Sequence, residues 1–158
     1  MTRWGDELVP NQFDPSLPYA VQLAACGPAA AVAFARFLGR NPSLADVVQL
    51  ARTVGWSESG GMNGVSNLMA LLAAMDVPAR ILWGGDWEPI IDEASRNRPV
   101  IVSTPGHYFC ADRYDPATGT LHVGNSGSPA LKYGSKWMQL SEMERLEGAV
   151  QASIYLNT

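Results

Sequence analysis

One cysteine in this chain, Cys26, has the sequence surroundings of a nucleophile. It stands in the stretch Gln22-Leu23-Ala24-Ala25-Cys26-Gly27-Pro28, directly before a run of small apolar residues that ends at Gly39. Pro28 favours the first turn of a helix and Gly39 its end, so the pattern predicts a buried helix with the sulfur at its N-terminus. Unpaired backbone N–H groups and the helix dipole lower the pKa of a thiol held there. A cysteine that only packs in the core is the alternative for this stretch alone.

A catalytic thiol needs a base, and imidazole is the side chain best matched to neutral pH. The chain has two histidines. His107 follows Gly106 at the start of a predicted strand, where its side chain can point into a cleft. His122 lies in the middle of the next predicted strand, where we expect an exposed or hydrogen-bonded residue without a catalytic role.

The candidate that orients the His107 ring is Asn125, which ends the strand after that of His107. The two strands are predicted to form a hairpin that turns at residues 115–119. A hairpin centred on residue 116 places positions 107 and 125 close to opposite each other, which supports the pairing. An ordinary turn residue is the alternative for Asn125. Asp112 and Asp115 rank below it.

A tetrahedral intermediate also needs hydrogen-bond donors for its oxyanion. The backbone N–H of Cys26 is one candidate, and the side-chain amide of Gln22 is the other, with a solvated loop residue as the alternative. The glycine-rich segment 55–64 offers candidate substrate-binding residues for the wall of a cleft. They are Trp56, Gly60 and Gly61. An ordinary connection with a core anchor is the alternative for this segment.

Two periodicities predict the elements that position these residues. Apolar residues at helical spacing indicate helices over about 27–38, 44–54, 65–75 and 87–97. Short β-branched or alternating runs indicate strands over about 79–83, 100–103, 106–114, 120–124 and 149–156. We expect a short strand or an approach to the cysteine turn at 19–21, loop at 126–136, and then a short helix capped by Ser141. The expected fold class is α+β, with helices on one side of a largely antiparallel sheet.

Length and composition narrow the range of functions. The 158 residues are 47% hydrophobic and 16% charged, which is typical of a single domain over 1–158. Residues 1–17 are expected to form an extended lead-in to it. The net charge of -4, without a dense basic run, disfavours nucleic acid and anionic membranes as partners. The two cysteines and two histidines lack zinc-site spacing, so we expect no metal and no cofactor. The oligomeric state stays open.

Two further expectations concern localisation and the cysteines. No apolar run reaches the ~18 residues of a membrane-spanning helix, and residues 1–7 lack a signal-peptide pattern. We therefore expect a cytoplasmic protein, or a domain carried within a larger secreted or virion protein. A disulfide between Cys26 and Cys110 is left open, and Cys110 is expected to be a buried strand residue without a catalytic part.

Taken in order, the motifs resemble those of papain-like cysteine peptidases, and more closely the C39-type and C39-like peptidases. Cys26-Gly27-Pro28-Ala29 resembles the family's cysteine motif, Gly106-His107-Tyr108 its histidine motif, and Asn125-Ser126-Gly127 part of the papain-type Asn-Ser-Trp-Gly motif. C39 members usually carry Asp-Pro where Asn125-Ser126 stands. The papain-type glutamine precedes the cysteine by six residues, where this chain has Ala20, whereas Gln22 precedes Cys26 by four.

The resemblance implies a papain-like fold and a cysteine peptidase. It would hydrolyse peptide or amide bonds through Cys26, His107 and Asn125, with a thioester acyl-enzyme and Gln22 at the oxyanion. The implied partner is a peptide substrate, either a protein or a peptidoglycan stem peptide of bacterial or phage cell-wall chemistry. Two alternatives stay open: a thiol acyltransferase of the transglutaminase kind, and a non-catalytic peptide-binding domain on the same fold.

Overall fold

Helices predominate in the first half of the chain and strands in the second, as the sequence pattern predicts. The computed structural model describes residues 9–127 and 132–158. The elements are α1 Tyr19–Ala24, α2 Cys26–Phe37, α3 Leu44–Arg52, α4 Val65–Ala74, β1 Ala79–Trp83, α5 Glu88–Ser95, β2 Val100–Thr104, β3 His107–Asp115, β4 Thr120–Asn125, β5 Gly134–Gln139, α6 Leu140–Glu147 and β6 Ala152–Leu156.

The strands form one antiparallel sheet in the order β1-β6-β2-β3-β4-β5. The pairing brings Trp83 beside Ala152, Ser103 beside Ala152, and Thr104 beside His107. Because neighbouring strands run in opposite directions, the ends of β1, β2 and β4 meet the starts of β6, β3 and β5 at one end of the sheet. His107 and Asn125 both lie at that end.

Helix α2 is the central helix, and residues 27–35 are all buried. Its alanines let neighbouring elements approach closely, and it packs between α3, α4 and β3. Ser43 caps the next helix by accepting the Asp46 backbone N–H at 3.1 Å. No helix among the described residues has the length and apolar composition that crossing a membrane requires.

Helices cover both faces of the sheet. Ile101 and Cys110 belong to the core formed with α1–α4, whereas Val102 and Phe109 belong to a second core with α5 and α6. Successive residues of a strand point to opposite faces, so the two cores lie on opposite sides. The expectation of helices on one side is therefore wrong for α5 and α6. The apolar residues along one side of α5 and of α6 predict that each helix packs against the sheet. They do not indicate against which of its two faces.

Three local predictions differ from the structure. Residues 19–24 form helix α1, whereas a short strand or an approach to the cysteine turn was expected at 19–21. The sequence did not indicate this helix because six residues are too few to establish a helical period. Residues 134–139 form strand β5, where loop was expected up to residue 136 and an apolar anchor with a short helix after it. This strand lies at the edge of the sheet and exposes most of its polar residues, so it lacks a clear apolar alternation. Ser141 lies inside α6 and does not cap it.

The β3–β4 hairpin has a different register from the expected one. Asp115 pairs with Thr120, and the pairing shifts between Ala111 and Arg113, so that Gly124 lies opposite Cys110. A bulge at residue 112 accounts for the shift. Continuing this register puts residue 125 opposite residue 109. Asn125 is thus diagonal to His107 on the same face, two residues from the position directly opposite it.

Candidate active site

A cleft of about 860 Å³ lies between the helical half and the end of the sheet. The helical wall contains Leu23, Ala24 and Cys26, and residues 58–66 form a second wall. The sheet contributes Trp83, Ser103, Thr104, His107, Tyr108, Gln151 and Ala152. Cys26 and His107, which are 81 positions apart in the sequence, thus line the same cleft.

Cys26 is the first residue of α2 and is half-buried. Burial raises the pKa of its thiol, and this effect outweighs the backbone N–H groups of Tyr108, Gly27 and Cys26, which lower it. The charge of Glu147 raises it further. The backbone N–H groups at the helix start thus act in the expected direction, but desolvation of the thiolate is the larger effect, so the pKa lies above its ordinary value. A thiol in this environment needs a base to remove its proton.

Gly27 allows the second wall to pack against the start of α2. A Cβ at Gly27 would lie 2.2 Å from Cγ of Met62, a buried residue of that wall. Trp56 anchors the same segment, because its indole N–H donates to the Ala24 carbonyl at 2.7 Å. Trp56 is only 3% exposed and does not line the cleft, so the expectation that it binds substrate is wrong. Gly60 and Gly61 do line it.

His107 and Asn125 are hydrogen-bonded at the buried side of the cleft. Nε2 of His107 lies 2.6 Å from Oδ1 of Asn125, and Nδ2 of Asn125 donates to the Lys132 carbonyl at 3.2 Å. The second bond fixes the orientation of the amide, so that its oxygen faces the ring. Because a carbonyl oxygen only accepts, Nε2 carries the hydrogen, and Nδ1 is the ring nitrogen that can accept a proton.

The turn between β2 and β3 sets the direction of the His107 side chain. Gly106 has φ +80°, a left-handed conformation that glycine adopts without strain. The Thr104 hydroxyl donates to the His107 carbonyl at 3.3 Å across this turn. Phe109, two residues along the strand, stacks near the imidazole with 6.4 Å between ring centroids. The ring is therefore held by packing as well as by Asn125.

Gln22 is directed away from the cleft. It lies in α1, and its amide nitrogen donates to the backbone carbonyls of Asp14 at 2.9 Å and Leu17 at 2.8 Å. Both amide hydrogens are used, and Gln22 does not line the cleft. The structure therefore contradicts the expectation that this amide reaches an oxyanion. The backbone N–H of Cys26 stays the candidate donor.

From the sequence, no role in the site was expected for Tyr108. The only signal in the sequence that could have marked it is its position directly after His107. Its backbone N–H acts on the Cys26 thiol, and its side chain lines the cleft. Burial raises the pKa of the Tyr108 phenol to about 12, with a smaller contribution from Cys26. The phenol is therefore protonated at neutral pH and can donate a hydrogen bond.

The remaining histidine and cysteine lie outside the cleft. His122 is buried, and its Nδ1 lies 2.6 Å from Oδ1 of Asp112, in agreement with a hydrogen-bonded strand residue. Cys110 is 1% exposed, and both cysteines are free. Among residues 9–127 and 132–158, no three His, Cys, Asp or Glu side chains are grouped so that they could hold a metal ion.

Comparisons with known proteins identify the fold. No protein-family model and no curated protein matches the chain. The peptidase domain of Streptococcus ComA, a bi-functional ABC transporter involved in quorum sensing, superposes with a TM-score of 0.63 at 19% identity, over 84% of this chain and 90% of that one. A double-glycine motif protease from an AMS/PCAT transporter, in complex with its leader peptide, gives a TM-score of 0.59 at 12% identity, over 84% and 83%.

A C39-like peptidase from Bacillus anthracis, described as putative in its published name, gives a TM-score of 0.56 at 13% identity, over 85% of this chain and 90% of that one. At these identities the likeness shows the fold. The chain therefore has the papain-like fold of C39-type peptidase domains, which confirms the fold expected from its motifs.

Proposed function

We propose that this protein is a cysteine peptidase that hydrolyses peptide bonds with Cys26 as nucleophile. The observation that carries the proposal is the buried His107–Asn125 pair, 2.6 Å apart, beside the cleft that Cys26 lines. The hydrogen bond to Asn125 leaves Nδ1 of His107 as the proton acceptor. Of the two described cysteines, Cys26 in this cleft is half-buried, whereas Cys110 is buried. The fold of peptidase domains supports the same conclusion.

In the proposed reaction, Nδ1 of His107 takes the Cys26 proton as the sulfur attacks the substrate carbonyl. Proton transfer to His107, and not the helix N-terminus alone, supplies the thiolate, since burial raises the thiol pKa. The Cys26 backbone N–H donates to the oxyanion of the tetrahedral intermediate. His107 then returns its proton to the leaving amine, and the C–N bond breaks to give a thioester and a free amino terminus.

Hydrolysis of the thioester completes the cycle. Nδ1 of His107 accepts a proton from water as the water oxygen attacks the thioester carbonyl. The second tetrahedral intermediate collapses, the C–S bond breaks, and the proton returns to the Cys26 sulfur. Asn125 holds the ring throughout, so that the same nitrogen faces the sulfur, the leaving group and the water in turn.

The shape of the cleft supports an extended peptide as substrate. From His107 it crosses the end of β2 and the start of β6 to Trp83 of β1. Three strand spacings span about 14 Å, the length of roughly four residues of extended chain. Leu23 and Trp83 are 57% and 68% exposed on facing walls, where they can contact apolar substrate side chains. One neighbour in the comparisons binds a leader peptide, which is consistent with this class of substrate.

Mass spectrometry of a peptide library tests the proposal. The purified protein is incubated with peptides of diverse sequence and, separately, with peptidoglycan stem peptides, and new amino termini are identified. We expect cleavage by the wild type and by Cys110→Ala, and none by Cys26→Ala. Cleavage by Cys26→Ala contradicts the proposal. New amides formed with added glycine amide would indicate acyl transfer, and binding without any product would indicate a non-catalytic peptide-binding domain.

A further inference from the structure

A glutamine of the lead-in, Gln12, joins the two halves of the candidate site. Its side chain is only 3% exposed, and Ser126, against which it packs, is 1% exposed. The two residues are 114 positions apart in the sequence. Burial of a primary amide is costly unless its donors and acceptor are hydrogen-bonded, so the contacts of Gln12 indicate what it holds.

On one side, Gln12 holds the residue that follows Asn125. The Ser126 hydroxyl donates to Oε1 of Gln12 at 2.7 Å, and the Gln12 backbone N–H donates to the Ser126 carbonyl at 3.0 Å. Two hydrogen bonds to one residue restrict both its translation and its rotation. Because Ser126 is covalently joined to Asn125, they also restrict the backbone from which the Asn125 amide reaches His107.

On the other side, Gln12 holds the helix that precedes Cys26. Its Nε2 donates to the backbone carbonyl of Gln22 in α1 at 2.9 Å. The Gln22 side chain binds back to the carbonyls of Asp14 and Leu17, which closes the lead-in over α1. The lead-in therefore contacts the cysteine side and the asparagine side of the cleft at once, with Gln12 between them.

Phe13 adds an apolar contact to the same junction. Gly127 has φ +121°, and a Cβ there would lie 2.9 Å from the Phe13 ring. The close approach fixes the lead-in against the chain that leaves Asn125. Together these contacts connect α1, the lead-in and the end of β4 at the site.

We propose that Gln12 is a positioning residue, which acts through Ser126 to keep the Asn125 amide on the His107 ring. The catalytic part of this inference rests on the proposed peptidase function. The positional part does not, since it concerns the bond between Nε2 of His107 and Oδ1 of Asn125. Loss of the Gln12 side chain leaves this bond in place for a smaller fraction of the time.

The positional part is tested by NMR on the full chain, as the exchange with water of the His107 Nε2–H hydrogen. The variants are Gln12→Leu and Ser126→Ala. Ser153→Ala is the matched control, because Ser153 is also buried and its hydroxyl also makes one side-chain bond, to the Tyr155 hydroxyl at 2.9 Å. We expect exchange about tenfold faster in both variants and unchanged exchange in the control. Unchanged exchange in the variants overturns the proposal.

The catalytic part is tested by the rate of Cys26 alkylation with iodoacetamide at neutral pH. In the wild-type background, we expect Gln12→Leu to lower the alkylation rate about tenfold. In the Asn125→Ala background, the same substitution should lower it by less than about twofold, because Gln12 acts through Asn125. Equal reductions in both backgrounds overturn the action through Asn125. Melting temperatures of all variants separate these effects from a general loss of stability.

Two controls keep the outcome decisive. His107→Ala with the same alkylation rate as the wild type contradicts the proposed function, and the exchange measurement then still decides the role of Gln12. If Gln12→Leu does not fold, Ser126→Ala carries both measurements, since it removes one hydroxyl and leaves the Gln12 amide in place.

Discussion

The two histidines of this protein lie in the same hairpin and make hydrogen bonds of the same length. His107 lies 2.6 Å from an oxygen of Asn125, and His122 lies 2.6 Å from an oxygen of Asp112. Both rings are buried. His107 starts its strand and faces the cleft that contains Cys26, whereas His122 lies in mid-strand, away from that cleft.

The surroundings of the second histidine are those of a structural residue. Arg113 lies 3.4 Å from the second carboxylate oxygen of Asp112, and Trp137 packs on the imidazole with 5.2 Å between ring centroids. The neutral Asn125 orients His107 without fixing a charge on it, so that its other nitrogen can gain and lose a proton during a reaction. The two pairs therefore differ in the charge of the partner and in access to the cleft, and the proposed function assigns the base to His107 on both grounds.

Exchanging each histidine for alanine gives the largest expected difference. His107→Ala should lower peptidase activity by about a thousandfold or more, because the thiol loses its base. His122→Ala should leave the rate within about threefold and reduce the free energy of unfolding by about 1–3 kcal/mol, because the Asp112 carboxylate loses a buried partner. Rates and denaturant unfolding of both variants check this. Comparable rates for the two variants would remove the distinction.

Asn125→Asp converts the first pair into a chemical copy of the second. A carboxylate beside the ring stabilises imidazolium, so His107 should stay protonated to higher pH. We expect the acid limb of the pH–activity profile to move to higher pH and the rate at neutral pH to fall by about tenfold or less, compared with about tenfold to a hundredfold for Asn125→Ala. An unshifted acid limb would show that Asn125 does not act on the ring.

Asp112→Asn makes the converse change. The second pair then has a neutral partner like that of His107, but still no cleft and no thiol beside it. We expect peptidase activity within about twofold of the wild type and a loss of about 1–2 kcal/mol in the free energy of unfolding, because the Arg113 and His122 contacts weaken. A change in rate of tenfold at unchanged stability would connect this pair to the active site.

The two cysteines extend the comparison to alkaline pH, where the expected effect is on stability and not on activity. Burial raises the pKa of both the Cys26 and the Cys110 thiol. The unfolded chain releases these protons at about pH 8.5, whereas the folded chain keeps them to higher pH. The free energy of unfolding therefore falls as pH rises beyond about 8.5. Below it, the contribution is fully present.

Cys110→Ala should reduce this alkaline slope by about 1.4 kcal/mol per pH unit between the unfolded and folded pKa values. Urea unfolding of the wild type and the variant from pH 7 to pH 10 measures it. Parallel curves for the two proteins would mean that Cys110 ionises alike in both states.

The sequence predicted the parts of the site that depend on local pattern. Cys26 could be placed at a helix start because Pro28 and the alanine run are local signals. His107 and Asn125 could be paired because a hairpin connects them, although its turn lies further along the chain than the expected centre at residue 116. The bulge at residue 112 shifts the register by one residue, back toward the expected one. Their shared face survived because strand faces repeat every two residues.

The parts that were missed depend on contacts between distant residues. Gln12 contacts Ser126 across almost the whole chain, and no local pattern marks that contact. Gln22 has the right residue type near the cysteine, but α1 turns its amide toward the lead-in. Trp56 stands in a glycine-rich segment that does line the cleft, yet its own ring is an anchor in the core. The thiol pKa depends on burial, which sequence spacing does not report.

The pH dependence of Cys26 alkylation by iodoacetamide, in the wild type and in His107→Ala, tests most directly whether His107 is the base for this thiol. Peptide mapping assigns the label to Cys26. In His107→Ala the rate should rise with a single pKa above the ordinary thiol range, because burial raises it. The wild type should react at least about tenfold faster near neutral pH, through the proton transfer to His107. Superimposable profiles for the two proteins would contradict the account.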